Sequence, residues 1–197
     1  MKNLILVNGQ HMLSHLYKPT ELVQEPTTKI WLKRETYSAF YKMNSAIQVA
    51  GLSSLILVSG YRTYTYQQTL FKRKIDNLIK EGLNLGEATK KAPKIVARPG
   101  ASEHQTGLAI DVTSSDLAKE EDPLIEAFGE TEHGKWLSLF ACNYGFILRY
   151  PKDKMEITCV SYEPWHYRYV GTGHAKNITT RGMCLEEYIA YLAINQN

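Results

Sequence analysis

The sequence predicts an α+β fold: a single domain with a central, mainly antiparallel sheet flanked by helices. The chain has 197 residues, which suits one domain. Short aliphatic or aromatic runs of strand length, such as Leu55-Ile56-Leu57-Val58 and Phe146-Ile147-Leu148-Arg149-Tyr150, lie between longer stretches of helical periodicity. The two kinds of segment mix without the regular βαβ alternation of a parallel sheet.

Residues 1–30 read as an N-terminal strand and an extended arm marked by Pro19 and Pro26, packed on the domain formed by 31–197. From Trp31 to Ala50 the apolar residues Tyr37, Phe40, Tyr41, Met43, Ile47 and Ala50 fall near helical spacing, and Gly51 closes that helix. Leu55–Val58 reads as a buried strand ending at Ser59-Gly60. Thr63–Glu81 is a second helix, with Tyr66, Leu70, Ile75, Leu78 and Ile79 on its apolar face and Gly82 as its stop. Pro93 and Pro99 limit regular structure in 83–100. Leu108–Val112 is a strand, and the acidic, turn-rich stretch 114–131 is a surface loop. A helix over 134–144 ends near Gly145, and Phe146–Tyr150 is a strand stopped by Pro151. Further strands are expected near 157–161 and 165–170, then a terminal helix over Glu186–Ile194.

Composition excludes several classes. The net charge of +3 is too small to argue for nucleic acid, and basic runs such as Lys72-Arg73-Lys74 read as solvated faces. The three cysteines, Cys142, Cys159 and Cys184, are odd in number and lack CxxC spacing, which argues against a disulfide framework or a thiolate metal site. The opening Met1-Lys2-Asn3-Leu4-Ile5-Leu6-Val7-Asn8 is too short in apolar residues for a secretory h-region of ~7–15 or a membrane span of ~18. The expectation is a cytoplasmic protein with no membrane, nucleic-acid or protein partner. A chain this long buries roughly 70% of its unfolded surface, so a metal here is functional rather than a folding aid.

Two segments carry the chemistry. Ser102-Glu103-His104-Gln105-Thr106-Gly107-Leu108-Ala109-Ile110-Asp111 offers an imidazole and a carboxylate; Glu163-Pro164-Trp165-His166 offers another of each. On an unbroken strand His104 and Asp111 would face opposite sides, since side chains alternate. A turn at Gly107 lets His104 come from a loop and Asp111 from the strand that follows. Asp111 sits inside Leu-Ala-Ile-Asp-Val, where a buried carboxylate is costly unless paired or bound to a cation. Two imidazoles, one ligand carboxylate and an open position suit hydrolytic zinc, with Glu163 left over as general base. Taken singly, each histidine also has an ordinary reading as a polar core or surface residue.

Ser59-Gly60-Tyr61-Arg62-Thr63 follows a buried strand and opens a helix. A cation gains nothing from a helix N-terminus, so Arg62 calls for an anionic partner. That partner is either a substrate carboxylate or oxyanion, or a neighbouring acidic side chain. Gln67 presents an amide to the same cleft or lies on the helix surface.

These segments, with Pro99-Gly100-Ala101 before the first and Tyr144-Gly145-Phe146-Ile147-Leu148-Arg149-Tyr150-Pro151 between the two, occur in the order of a known family. From about residue 30 to 190 the chain resembles the VanY-type D-alanyl-D-alanine carboxypeptidases, in the zinc peptidase group that also holds lysostaphin-like enzymes and D-Ala-D-Ala dipeptidases. The resemblance implies the D-Ala-D-Ala carboxypeptidase/hedgehog-like fold with its zinc site at the sheet. It implies that His104, Asp111 and His166 bind Zn2+, that Glu163 is the catalytic base and Arg62 stabilises the oxyanion, and that Ser102 and Gln67 hold the substrate. The likeness is nearest to the cytosolic VanXY-type enzymes of glycopeptide-resistance operons. It implies a small peptide substrate, either D-Ala-D-Ala itself or the D-Ala-D-Ala end of a peptidoglycan pentapeptide precursor. Two other readings of the same residues are an endolysin-like endopeptidase cutting L-Ala-D-Glu and a non-catalytic zinc-containing binding module. Against the module, a purely structural site has no use for Glu163.

Overall fold

The computed structural model describes residues 3–195. Residues 3–7 join no sheet, so the expected N-terminal strand does not form there; Met1 and Lys2 of that strand lie outside the described residues. The carbonyls of Asn3 and Ile5 instead accept hydrogen bonds from Arg168 Nη2, at 3.0 and 2.8 Å.

Strands β1 (Leu22–Gln24) and β2 (Trp31–Lys33) pair as an antiparallel hairpin. The first helix therefore begins later than its apolar spacing proposed, as α1 (Arg34–Val49), which buries Thr36, Ala39, Phe40, Met43 and Ile47 along one stripe. Strand β3 (Ile56–Ser59) leads into α2 (Tyr64–Lys80), capped by the Thr63 hydroxyl accepting from the Tyr66 amide. The stretch after Gly82 contains a short helix, α3 (Leu85–Lys91), started by a reciprocal Asn84–Glu87 capping box.

Strand β4 (Ala109–Thr113), helix α4 (Glu132–Phe140) and strand β5 (Phe146–Leu148) follow where the sequence places them. The strand expected over 157–161 is absent. Instead Met155–Thr158 forms a single helical turn, α5, and Cys159 follows at φ 57°. The Thr158 hydroxyl donates back to the Lys154 carbonyl at 3.1 Å, a helix-type bond that overrides the β preference of Ile157 and Thr158. Strand β6 (His166–Tyr169) is followed by α6 (Thr172–Thr180), which the sequence does not signal, and by α7 (Leu185–Asn195).

The main sheet has the order β3-β4-β6-β5, antiparallel throughout. Register sorts its side chains. Ile110 and Val112 of β4 share a face with Leu57, Phe146 and Tyr167, and these pack on Phe40, Met43 and Ile47 of α1 in the main apolar core. The opposite face carries Asp111, His166 and Arg168, with Asp111 directly across from His166. At the β5 edge Ile147 joins a second core with Val170, Ile178, Leu185 and Tyr188. The fold thus packs the main apolar core on one face of the sheet and sets charge on the other over β4 and β6, with Ile147 packing at the β5 edge of that second face. Among the described residues, no helix is long and apolar enough to cross a membrane.

Candidate active site

Asp111 and His166 meet because they are register partners on adjacent strands; His104 reaches them from a turn. That turn is the 3-10 segment Glu103–Thr106, closed by Gly107 at φ 70°. A side chain at 107 would meet the Lys33 amide at 3.1 Å in a backbone conformation that L residues rarely adopt. The expected break at Gly107 is what frees His104 from the alternation of β4. Gly60 positions the same imidazole from the other side, its carbonyl accepting from His104 Nδ1 at 2.6 Å. A Cβ at 60 would lie 2.6 Å from the Trp31 carbonyl oxygen, so the backbone can come this close only as glycine.

With Nδ1 committed to Gly60, His104 turns Nε2 toward Asp111 Oδ2, at 3.1 Å. His166 faces Asp111 with its other nitrogen: Nδ1 lies 3.0 Å from Oδ1. That approach is not aligned as a hydrogen bond, and Asp111 Oδ1 is buried with no hydrogen-bond partner. Among the described residues, His104, Asp111 and His166 form a group placed to share one cation, with ligand atoms within 4.8 Å of one another. A buried carboxylate that faces one imidazole nitrogen with each oxygen, one of those oxygens lacking a hydrogen bond, is the N/O donor set that zinc takes. The residues fit the metal.

Glu163 closes the circle, its Oε2 3.6 Å from His166 Nδ1 and its side chain 16% exposed. Burial raises its carboxyl to about 7, against the pull of His166. Burial also raises Asp111, but His104 and His166 outweigh it and hold that carboxyl well below the usual range. The two imidazoles diverge. Burial and then Arg62 lower His104 to about 4. His166 is lowered by burial, but Asp111 and Glu103 more than offset this and lift it to about 9. Two carboxylates, one ionised and one poised near neutrality, share a cluster with imidazoles of opposite tendency. Such separation marks acid–base sites.

Arg62 lies just before α2, its backbone amide donating to the His104 carbonyl at 3.1 Å. Its acidic neighbour is Asp111: Nη2 donates to Oδ2 at 2.7 Å, while Nε donates to Ser59 Oγ at 2.9 Å. The ion pair is thus present, and Nη1 stays uncommitted. Gln67 is buried rather than on the helix surface. Its Nε2 donates to the Ala97 carbonyl at 2.8 Å, leaving Oε1 buried without a partner. Ser102 is buried on the same cleft wall.

All seven sequence-proposed residues line one cleft of about 630 Å3. It runs along one face of α2, past Leu70, Arg73 and Asn77. The stretch Pro93–Ala97, and Asp122, Leu124 and Glu126 from the acidic loop, also line it.

Sequence reasoning missed a second buried group. Glu103 Oε1 accepts from Arg149 Nε at 2.8 Å and from Arg168 Nη1 at 2.7 Å, and Arg149 grips Glu186 with both terminal nitrogens, at 2.8 and 2.6 Å. Both arginines are fully buried. The signal was available: Arg149 interrupts Phe-Ile-Leu-Arg-Tyr as Asp111 interrupts its own apolar run. Tyr150 was also missed; its ring packs 4.9 Å from that of His166.

Comparison with known proteins agrees with this geometry. Residues 29–172 match the family model VanY: D-alanyl-D-alanine carboxypeptidase. Over 198 residues the chain is 41% identical to the bifunctional D-Ala-D-Ala dipeptidase and D-Ala-D-Ala carboxypeptidase VanXYC of Enterococcus gallinarum, covering 98% of this chain and 96% of that one. It is 42% identical over 193 residues to YodJ of Bacillus subtilis (strain 168), covering 94% of this chain and 66% of that one. A crystal structure of a mutant of the vancomycin-resistance D,D-pentapeptidase VanY from the VanB-type cassette, in complex with Zn(II), is similar at a TM-score of 0.84 and 38% identity. The match covers 96% of this chain and 99% of that one.

Proposed function

The chain belongs to the VanY family of D-alanyl-D-alanine carboxypeptidases, and from that premise we propose that it is a zinc D,D-peptidase acting on D-Ala-D-Ala termini. Its substrates are the C-terminal D-Ala of peptidoglycan pentapeptide precursors and the free D-Ala-D-Ala dipeptide. Loss of those termini removes the target of glycopeptides and so contributes to vancomycin resistance. One observation carries the reading: three buried ligand atoms converge on one point, and a second carboxylate, Glu163, stands beside them raised to about 7.

We assign His104 Nε2, Asp111 and His166 Nδ1 to hold the ion. Zinc bound there supplies Lewis acidity toward the scissile carbonyl and lowers the pKa of water to about 7. Glu163 takes the proton of the attacking water and passes it to the departing amine as the C–N bond breaks. Arg62, with Nη1 uncommitted, holds the oxyanion or the terminal carboxylate. Gln67 Oε1, a buried acceptor without a partner, suits a substrate backbone N–H. The Ser102 hydroxyl donates to the terminal carboxylate or nearby backbone.

A cleft of about 630 Å3 has room for residues on the acyl side of the bond beyond two alanines, which supports carboxypeptidase action on longer peptides alongside the dipeptidase reaction. Three unpaired cysteines fit a reducing compartment, which supports cytoplasmic precursors as the substrate pool.

The test is D-Ala release from the dipeptide and from a pentapeptide precursor by the zinc-loaded protein and its Glu163→Ala variant. We expect the variant to lose about 10²–10⁴-fold of the rate. Undiminished release by the variant would sink the mechanism. Cleavage within the stem without terminal D-Ala would favour an endopeptidase.

A further inference from the structure

We propose that Glu103 is a positioning residue for the metal centre: its Oε2 accepts the outer N–H of His166 and so keeps Nδ1 unprotonated and aimed at the ion. The inference rests on the zinc reading above and concerns a residue outside its ligand set.

The two candidate imidazole ligands present opposite nitrogens, Nε2 from His104 and Nδ1 from His166. A neutral imidazole that ligates through one nitrogen carries its proton on the other, and that N–H needs an acceptor. For His104 the acceptor is the Gly60 carbonyl, 2.6 Å from Nδ1. For His166, Nε2 is buried with no hydrogen-bond partner, and the nearest carboxylate oxygen is Glu103 Oε2 at 3.7 Å. Glu103 Oε2 is itself buried without a partner. Two orphaned polar atoms thus face each other, and closing by under an ångström makes them a hydrogen bond.

The surroundings fix which oxygen is offered. Arg149 Nε and Arg168 Nη1 both donate to Oε1. The remaining terminal nitrogens of Arg149 are spent on Glu186, and Arg168 Nη2 is spent on the carbonyls of Asn3 and Ile5. Neither guanidinium reaches for Oε2. An ion cluster serving packing alone would have no reason to leave a carboxylate oxygen unbonded next to an unbonded imidazole nitrogen, at a cost of about 1–3 kcal/mol for each. An oxygen reserved for His166 accounts for both orphans.

Zinc affinity measured against a competing chelator tests this, with circular dichroism to check folding. Glu103→Ala should bind zinc about 10–100-fold more weakly than the native chain. Glu103→Gln should not recover that loss, because its single amide oxygen stays with Arg149 and Arg168 and its NH2, a donor, then faces His166 Nε2. In zinc-loaded native protein, ¹⁵N NMR should show His166 Nε2 bearing a proton that exchanges slowly. A folded Glu103→Ala variant with native zinc affinity overturns the proposal and leaves the zinc reading intact. If that variant does not fold, the native spectrum decides: an unprotonated His166 Nε2 overturns it. Failure of the native chain to bind zinc at all defeats the metal reading itself.

Discussion

Glu103, Arg149, Arg168 and Glu186 form one buried charged cluster; His104, Asp111, His166 and Glu163 form another, and Arg168 shares a sheet face with Asp111 and His166. In the first, a bidentate guanidinium clamp and five further arginine bonds leave one carboxylate oxygen over. In the second, Asp111 Oδ1 lacks a hydrogen bond, Glu163 is lifted toward neutrality, and the group opens onto a large cleft. Buried charge is costly in both places. Where pairing is nearly complete the charge holds strands and segments together. Where pairing is incomplete, the deficit is a place for a cation and a substrate. Completeness of pairing, rather than burial or charge, separates scaffold from site.

The largest effect should come from damaging the paired cluster. Arg168→Met keeps the length and apolar stem but leaves Glu103 with Arg149 as its one guanidinium partner and frees the Asn3 and Ile5 carbonyls. We expect a loss of about 3–5 kcal/mol in denaturant unfolding. A loss below about 1 kcal/mol would break the contrast, since the cluster would then hold little together.

The open cluster should respond to protons instead. Asp111 and Glu103 lift His166 to about 9 after burial is overcome, so below that pH a cation must displace a proton from it. Zinc affinity should therefore fall as pH falls, by up to about tenfold per unit. Competition titrations at pH 8 and pH 6 check the slope, and equal affinities would show that His166 carries no exchangeable charge.

The smallest effect tests the junction of the two behaviours at Arg62, which is tied to Asp111 yet keeps Nη1 spare. Arg62→Lys retains the charge and loses the fork. We expect kcat/KM for D-Ala release to fall about tenfold, with stability changed by less than about 1 kcal/mol. A stability loss larger than the kinetic one would place Arg62 with the scaffold.

The site was more legible in sequence than its support. Asp111 stands out as a carboxylate in an apolar strand, and Gly107 marks the turn that lets His104 reach it. Arg149 and Arg168 are the same kind of anomaly, but their partners Glu103 and Glu186 are remote in sequence and no local spacing joins them. Helix α6 escaped notice because it buries only Ala175 and Ile178, too few apolar positions to set a period. The hairpin β1–β2 hides behind the helical spacing that begins at Trp31. The segment 157–161 misleads because its β-branched residues lie in a turn fixed by a side-chain bond to Lys154.

The extended N-terminal arm also affects when the site is completed. Gln105, next to His104, donates to the Ser14 and Tyr17 carbonyls across 91 and 88 residues, and Arg168 holds the Asn3 carbonyl across 165. Contacts so distant along the chain form slowly and late in folding. During synthesis the segment around Asn3 and Ile5 waits for Arg168 before the clasp around the motif can close. A polypeptide interrupted before Arg168 would have made His104, Asp111 and His166 and still lack the brace that ties the segment around Asn3 to β6.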